Sequence, residues 1–156
     1  MARSKMHKIC KVFATGFGLG YVPKAPGTAG ALLGIIVGAL INLIPQTGSS
    51  FLVLIALIIF SSIAAHVTES DLGFKDPQVI VIDEVVGMAI ALWLIPFSFG
   101  AVIVQFIMFR LFDIYKPFPV KQMEEVFRGG FSIVMDDVMA GIIANILYHL
   151  GVAILL

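Results

Sequence analysis

Two adjacent pairs of acidic residues interrupt apolar stretches of this sequence, Asp83-Glu84 within VIVIDEVVG and Asp136-Asp137 within VMDDVMAG. An ionised side chain at the centre of an apolar membrane helix costs about 2.5–3.5 kcal/mol, so each pair needs a cationic partner or a metal ion. Clustered carboxylate oxygens suit a hard cation, and Mg²⁺ in particular leaves positions for water and phosphate. Soft metals are not expected, because the chain offers only one cysteine and three histidines. The pairs therefore predict an oxygen-ligand site for Mg²⁺.

A small residue lies one turn beyond each acidic pair, Gly87 after the first and Ala140 with Gly141 after the second. Residues without bulky side chains allow two helices to pack closely. We therefore expect the two helices that carry the acidic pairs to lie against each other, which would join the pairs in one site.

A third motif carries the charges that a phosphoryl group requires. Arg110 and Asp113 lie three residues apart on one face of a predicted helix, and Lys116 follows three residues later. A guanidinium group binds phosphate oxygens in a bidentate manner, and an ammonium group adds a point charge. Beside a carboxylate metal site, this arrangement favours phosphoryl chemistry.

The segment KAPGTAG, residues 24–30, opens the first long apolar run. Free backbone N–H groups at the start of a helix can hold an anion, so we expect this segment, with Lys24 and Thr28, to bind the same phosphate. The segment lacks the G-x-x-x-x-G-K-[ST] spacing of a P-loop, so the prediction depends on its neighbours rather than on the motif alone.

The composition places these residues in a membrane protein. The chain has 156 residues, of which 60% are hydrophobic and 13% charged, with a mean hydropathy of +1.05. Soluble domains carry about 25% charged residues, so an ordinary soluble enzyme is excluded. Ten basic residues balance ten acidic ones, which gives no indication of a nucleic-acid partner. Residues 25–68, 85–109 and 138–156 contain no Asp, Glu, Lys or Arg, and these gaps are long enough to span a bilayer.

The apolar runs and the turn signals between them predict an all-α, polytopic membrane bundle with about five transmembrane helices. The predicted spans are about residues 28–44, 51–67, 78–95, 99–115 and 132–153, preceded by a basic amphipathic interfacial helix at about residues 5–15. Polar residues 69–77 are predicted to form a loop, and Pro96 separates the third span from the fourth. We expect one domain, residues 1–156, with residues 1–24 as its interfacial segment.

The basic residues indicate the orientation of this bundle. With five crossings all ten lie at or near one face, and the opposite face has none. A single span over residues 78–115 would instead move Arg110, Lys116, Lys121 and Arg128 to the other face. Since basic residues mark the cytoplasmic side, the acidic residues are expected at or just beneath the cytoplasmic face.

Two other interpretations explain part of the pattern. The charged residues could form a structural ion-pair network at the membrane surface. Alternatively, carboxylates inside a membrane could line the ion path of a small cation transporter or channel. A transporter would need acidic residues across the depth of the bilayer, whereas the outer halves of the predicted helices have none.

Four sequence blocks carry a resemblance to a known family. They are PGT with Gly30 at residues 26–30, KDPQVIVIDEVVG at 75–87, FRLFDIYKPFP at 109–119, and GG at 129–130 followed by MDD at 135–137 and AG at 140–141. In this order they resemble the phosphatidylglycerophosphatase A family over about residues 16–145. The resemblance implies a membrane-bound, Mg²⁺-dependent phosphatase of the bacterial cytoplasmic (inner) membrane, which removes the terminal phosphate of phosphatidylglycerophosphate to give phosphatidylglycerol.

The resemblance also implies roles for individual residues. The expected metal ligands are Asp83, Glu84, Asp136, Asp137 and Glu69. Catalytic roles are expected for Asp76, Asp113, Arg110 and Lys116. Substrate binding is expected of Thr28, Arg110 and Lys116, together with Lys24. Either Asp76 or Asp113 would orient or deprotonate the attacking water, and direct hydrolysis is favoured over an aspartyl-phosphate intermediate. The expected partner is a phospholipid whose acyl chains stay in the bilayer.

Overall fold

The structure is a computed structural model that describes the backbone of residues 2–155 and, within that range, all side chains except those of residues 2–4, 124 and 155. No strand occurs in the described range. In chain order its helices are α1 (Ala2–Ala14), α2 (Pro26–Asn42), α3 (Thr47–Leu72), α4 (Ile82–Ala91), α5 (Phe99–Tyr115), α6 (Val120–Val126) and α7 (Gly130–Leu155), with a 3₁₀ turn at Leu19–Tyr21. The all-α prediction is confirmed.

The short helix α4 lies at the centre of the bundle. Eight of its ten residues are buried, and the two that are partly exposed are Asp83 and Glu84 in its first turn. It packs mainly between α2 and α7. A helix that is apolar all round is stable only when its neighbours cover it, so the surrounding helices position the two carboxylates.

Glycines set the distance between α2 and α4. Gly30, Gly34 and Gly38 follow one face of α2, because residues four apart share a helix face. A Cβ at Gly30 would lie 2.8 Å from the carbonyl oxygen of Val81, and one at Gly34 would lie 2.7 Å from Cβ of Met88. No real side chain is accommodated at such distances, so the start of α2 lies directly against the start of α4.

The contact between α4 and α7 is equally close. A Cβ at Gly141 would lie 2.2 Å from the carbonyl oxygen of Gly87, and a Cβ at Gly87 would lie 2.7 Å from the carbonyl oxygen of Asp137. The predicted close approach of the two acid-bearing helices is therefore confirmed, and it brings the acidic residues of α7 beside those of α4.

The helices alternate in direction around α4. Helices α2, α4 and α7 run the same way, whereas α3 and α5 run in the opposite direction. Trp93, just beyond the end of α4, donates from Nε1 to Oγ of Ser50 near the start of α3 at 3.1 Å. Phe109 near the end of α5 packs on Gly87 near the start of α4. Consequently the starts of α2, α4 and α7 and the ends of α3 and α5 meet at one end of the bundle.

Helix α4 is shorter than the predicted helix 78–95, and two asparagines bind the backbone where it ends. Asn145 of α7 donates from Nδ2 to three carbonyl oxygens, of residues 90, 91 and 93, at 2.8–3.3 Å. Asn42 of α2 donates to the carbonyl oxygen of Leu92 at 2.8 Å and accepts from the N–H of Leu94 at 3.0 Å. These side chains satisfy backbone groups that a longer helix would have paired internally.

Two further segments differ from the predicted boundaries. The predicted loop 69–77 begins within a helix, since α3 continues to Leu72 and ends at Gly73 in the left-handed conformation (φ +76°). The short helix α6 lies between the fourth and fifth predicted spans, where no helix was predicted. The predicted helix 99–115 is confirmed.

Two helices of the described range, Thr47–Leu72 and Gly130–Ile154, are long and apolar enough by length and composition to cross a membrane. Helix α2 is also apolar but has 17 residues. The apolar helices α3 and α7 therefore favour association with a membrane.

Candidate active site

A cavity of about 390 Å³ lies at the end of the bundle where the acid-bearing helix starts meet. Every predicted site residue except Glu69 lines it. These residues are Lys24, Thr28, Asp76, Asp83, Glu84, Arg110, Asp113, Lys116, Asp136 and Asp137. Gln78 and Ile114 also line the cavity, and nothing in their type or spacing had indicated this. The fold thus gathers residues from the α1–α2 link, α2, the α3–α4 loop, α4, α5 and α7 into one place.

Three carboxylates converge in this cavity. One oxygen from each of Asp83, Glu84 and Asp137 lies within 4.8 Å of the others. Oδ1 of Asp83, Oε2 of Glu84 and Oδ2 of Asp137 are buried without a hydrogen-bond partner. Buried carboxylate oxygens without donors require a proton or a cation to offset their charge and lost hydration. The donor set, three hard oxygen ligands, fits a metal ion such as Mg²⁺.

Asp136 is not part of this group of three. Its Oδ2 accepts a hydrogen bond from Nζ of Lys116 at 2.6 Å, and its Oδ1 accepts from the backbone N–H of Asp137 at 3.0 Å. Successive residues of a helix point about 100° apart, so the side chains of an adjacent pair turn to different neighbours. Asp136 thus forms an ion pair with Lys116 in the same cavity, and its expected role as a fourth metal ligand stays a prediction.

Arg110 connects α5 to the three carboxylates. It donates from Nη1 to Oδ2 of Asp113, one turn further along α5, and Nη1 lies 3.9 Å from Oε1 of Glu84. The guanidinium group is largely buried, with 19% of its side chain exposed, so its charge is weakly screened. It therefore places a fixed positive charge beside the carboxylate group.

Gly27 is a site residue that sequence reasoning did not single out. A Cβ at this position would lie 2.2 Å from Oε1 of Glu84 and 3.1 Å from Nη1 of Arg110. The first turn of α2 therefore lies against both side chains, and Thr28 beside it lines the cavity. The sequence shows that Gly27 follows Pro26 at the opening of the first apolar run. Only the structure shows that this glycine faces Glu84 and Arg110.

Glu69 lies outside this cavity, and its expected role as a metal ligand stays a prediction. Its Oε1 accepts a hydrogen bond from the backbone N–H of Asp76 at 3.2 Å. It lines a neighbouring cavity together with Lys75 and Arg128. Glu69 thus holds the loop that presents Asp76.

Three residues that line the cavity have left-handed backbone conformations, which residues other than glycine rarely adopt. They are Lys24 (φ +74°), Asp76 (φ +50°) and Lys116 (φ +43°). Such conformations cost about 1–3 kcal/mol each and tend to occur at functional sites. The sequence gives no sign of them.

Comparison with known proteins gives consistent matches along the chain. The family model for phosphatidylglycerophosphatase A matches residues 12–152. Phosphatidylglycerophosphatase A of Escherichia coli (strain K12) is 36% identical over 152 residues, which cover 96% of this chain and 88% of the relative. The Haemophilus influenzae protein of the same name is 41% identical over 138 residues, covering 86% and 83%.

A Bacteroides thetaiotaomicron protein named "Putative phosphatidylinositol-3-phosphatase" is 45% identical over 143 residues, covering 87% of this chain and 89% of the relative. No solved structure matches significantly. All three relatives are named as lipid phosphatases, so the cation-transporter interpretation is not favoured. Because the family match covers nearly the whole chain and includes every residue of the cavity, this protein is a phosphatase that belongs to the phosphatidylglycerophosphatase A family.

Proposed function

We propose that this protein is an Mg²⁺-dependent lipid phosphatase that hydrolyses the terminal phosphomonoester of phosphatidylglycerophosphate to phosphatidylglycerol and phosphate. The observation that carries the proposal is the meeting of three carboxylates, Arg110 and Lys116 in one cavity at the end of an apolar bundle. Oxygen ligands beside two cationic groups are what a phosphoryl group needs for binding and charge stabilisation.

In this proposal Asp83, Glu84 and Asp137 hold Mg²⁺, which would supply positive charge to the phosphoryl oxygens. Arg110 binds the same oxygens through its guanidinium group. Asp113 is a positioning residue, because its carboxylate holds Arg110 in place.

The remaining residues of the cavity act on the water and the leaving phosphate. Asp136 holds the ammonium group of Lys116 toward the phosphoryl group. Asp76 lines the same cavity, and we propose that its carboxylate orients the attacking water. Lys24 and Thr28 bind the phosphate from the start of α2.

We further propose that the whole chain is one domain embedded in the bacterial inner membrane with five crossings and the cavity at the cytoplasmic face. The alternating directions of α2, α3, α4, α5 and α7 support this, since each of these helices starts at the end of the bundle where the preceding one ended. Helix α1 lies at the interface, because Met6, Ile9 and Val12 are exposed on a helix that also carries three exposed or half-buried lysines, Lys5, Lys8 and Lys11.

The proposal is tested by phosphate release from phosphatidylglycerophosphate in detergent micelles, with Mg²⁺ and with EDTA. We expect Asp83→Asn and Asp137→Asn each to lower kcat/KM by about 100-fold or more, because each removes a charged ligand. Asp71→Asn is the matched control, since Asp71 lies at the end of α3 against His7, outside the cavity. Full activity of either cavity variant, or turnover that EDTA does not affect, would contradict the proposed mechanism.

The relative from Bacteroides thetaiotaomicron is named "Putative phosphatidylinositol-3-phosphatase", and on that name phosphatidylinositol 3-phosphate is a second candidate substrate. Both lipids carry a phosphomonoester on a polyol that is joined to the lipid by a phosphodiester. The ratio of kcat/KM on the two lipids, measured under the same micelle conditions, decides between them. A higher value on the inositol lipid would replace the glycerol lipid as the substrate without changing the roles of the site residues.

A further inference from the structure

A second cavity, of about 550 Å³, lies beside the active-site cavity and carries an excess of basic side chains. Lys75 comes from the loop after α3, Lys121 from α6 and Arg128 from the link between α6 and α7. All three are exposed to solvent. The acidic residues that line the cavity are Glu69 and Glu125. The described basic residues of the lining therefore outnumber the acidic ones.

Glu69 and Glu125 offset part of this positive charge, and the Glu69 carboxylate also accepts the backbone N–H of Asp76. The loop after α3 and the α6 region, which are distant in the sequence, together place an arginine and two lysines around one open space. The described residues of the lining thus carry a net positive charge, which attracts an anion. An arginine with two lysines is the side-chain set that binds phosphate oxygens.

Only a thin wall separates this cavity from the active site. Lys75 lines the basic cavity, and the next residue, Asp76, lines the active-site cavity. In the same way, Ser132 lines the basic cavity and Ile133 lines the active-site cavity. A space of about 10 Å³ within the wall touches both cavities through these residues and Asp136. This volume is close to that of one enclosed water molecule, so the cavities are adjacent but distinct.

We propose that the basic cavity is a second oxyanion site that binds a phosphate group next to the catalytic one. Resting on the proposed function, two sources of that group exist: the inorganic phosphate that hydrolysis releases, and the phosphodiester of the lipid headgroup. Both present the same singly bonded phosphate oxygens to Lys121 and Arg128. The exposed position of the basic residues suits an anion that enters from or leaves to water.

Direct binding tests the site independently of catalysis. The full chain in detergent is equilibrated with radiolabelled inorganic phosphate in the presence of EDTA, so that binding through a metal ion in the active site is removed. We expect the Lys121→Gln/Arg128→Gln double variant to bind phosphate about tenfold or more weakly than the parent. The control is Lys5→Gln/Lys8→Gln on α1, which removes the same charge from another exposed surface. Equal affinity in the parent and the double variant would overturn the proposal.

Two further variants separate loss of the site from loss of the fold. Arg128→Lys keeps the positive charge and is expected to retain most of the phosphate affinity. Glu125→Gln removes a negative charge from the lining, so it is expected to tighten phosphate binding about threefold. A gain in affinity cannot come from misfolding, and a Glu125→Gln variant that binds phosphate no better than the parent would contradict the site.

Steady-state kinetics then identify the source of the phosphate. If the site holds the released product, the double variant raises the inhibition constant for inorganic phosphate about tenfold and leaves KM for the lipid unchanged. If it holds the headgroup phosphodiester, KM for the lipid rises and the inhibition constant does not. Failure of turnover on phosphatidylglycerophosphate would refute the proposed substrate, whereas the binding measurement would still decide on the oxyanion site.

Discussion

Lys24 lines the active-site cavity from a backbone conformation that lysine rarely adopts, with φ of +74°. Asp76 and Lys116 share this property. A left-handed residue costs conformational energy, which the surrounding structure must supply. The strained conformation places a charged residue in the lining of the cavity. A relaxed backbone at the same position would turn the side chain in another direction.

Lys24 therefore offers a test that separates side chain from backbone. Lys24→Gly and Lys24→Ala both remove the cation, and we expect both to lower kcat/KM about tenfold. Glycine accepts a positive φ and alanine does not, so Lys24→Gly should unfold at a higher temperature than Lys24→Ala. Phosphate release and thermal unfolding in detergent measure the two effects. Equal activity of both variants and the parent would remove Lys24 from the site.

Gly27 allows a second test at the scale of single atoms. Gly27→Ala adds a Cβ where Oε1 of Glu84 lies 2.2 Å away, so we expect Glu84 and Arg110 to move apart and activity to fall about 100-fold while the helices still pack. Gly100→Ala is the matched control, because a Cβ there meets nothing within 4 Å. Phosphate release and circular dichroism of the two variants are compared. A fully active Gly27→Ala variant would show that the start of α2 does not constrain the site.

The acidic residues of the site could be predicted from the sequence, whereas their partners could not. Charged residues in apolar helices are costly, which made Asp83, Glu84, Asp136 and Asp137 conspicuous. Which of these carboxylates lie close enough to bind the same metal ion depends on the rotation of α4 and α7 about their axes. That rotation is fixed by contacts such as the one between Gly87 and Gly141, and the sequence does not specify it.

At the scale of elements, the end of α4 is stabilised by side chains of other helices. Asn42 and Asn145 bind backbone groups of residues 90–94, which include the last two residues of α4 and the three that follow it. Non-helical backbone at membrane depth is stable only when its polar groups are satisfied by protein or water. The two asparagines thus allow a helix of ten residues to end inside the bundle.

We expect Asn145→Ala to lower the free energy of unfolding by about 1–3 kcal/mol, because it removes the side-chain donor of three carbonyl groups, of which that of Ile90 keeps the backbone N–H of Trp93. Denaturant titration in detergent, followed by circular dichroism, measures the loss. Gln122→Ala on α6 is a suitable control, since Gln122 is an exposed polar residue. A stability equal to that of the parent would mean that water replaces the asparagine.

The existence of most helices could be predicted from the sequence, but the ends of α4 could not. Hydrophobic periodicity continues across residues 79–95, so local pattern alone extends the helix. The structure ends it at Ala91 because Asn145, more than fifty residues later, takes over the carbonyl groups. The sequence of residues 79–95 alone does not show that a distant asparagine donates to these carbonyl groups.

At the scale of the whole molecule, the alternating helix directions place the charged cavity at one end and the asparagine-bound turn at the other. The lysines and arginines that line the active-site cavity and the basic cavity beside it are found at the charged end. This polarity supports the proposed orientation, in which the charged end faces the cytoplasm.

Cysteine labelling tests that orientation. In a Cys10→Ser background, we expect Lys121→Cys to react with a membrane-impermeant maleimide only from the cytoplasmic side. Phe97→Cys, in the exposed turn between α4 and α5, is expected to react only from the opposite side, because α4 and α5 form a hairpin. Intact cells and inverted vesicles provide the two sides. Labelling of both positions from the same side would contradict the five-crossing topology.

The close glycine contacts on both sides of α4 have a consequence for how the site responds to its lipid environment. Two of the three clustered carboxylates are in α4, and the third is in α7, where backbone touches backbone at Gly87 and Gly141. Contacts between main chains have no rotamers through which to relax. In the proposed five-crossing arrangement, changes in membrane thickness or fluidity would act first on the exposed side chains of α3 and α5, so the spacing of the carboxylates would be preorganised independently of the bilayer's physical state.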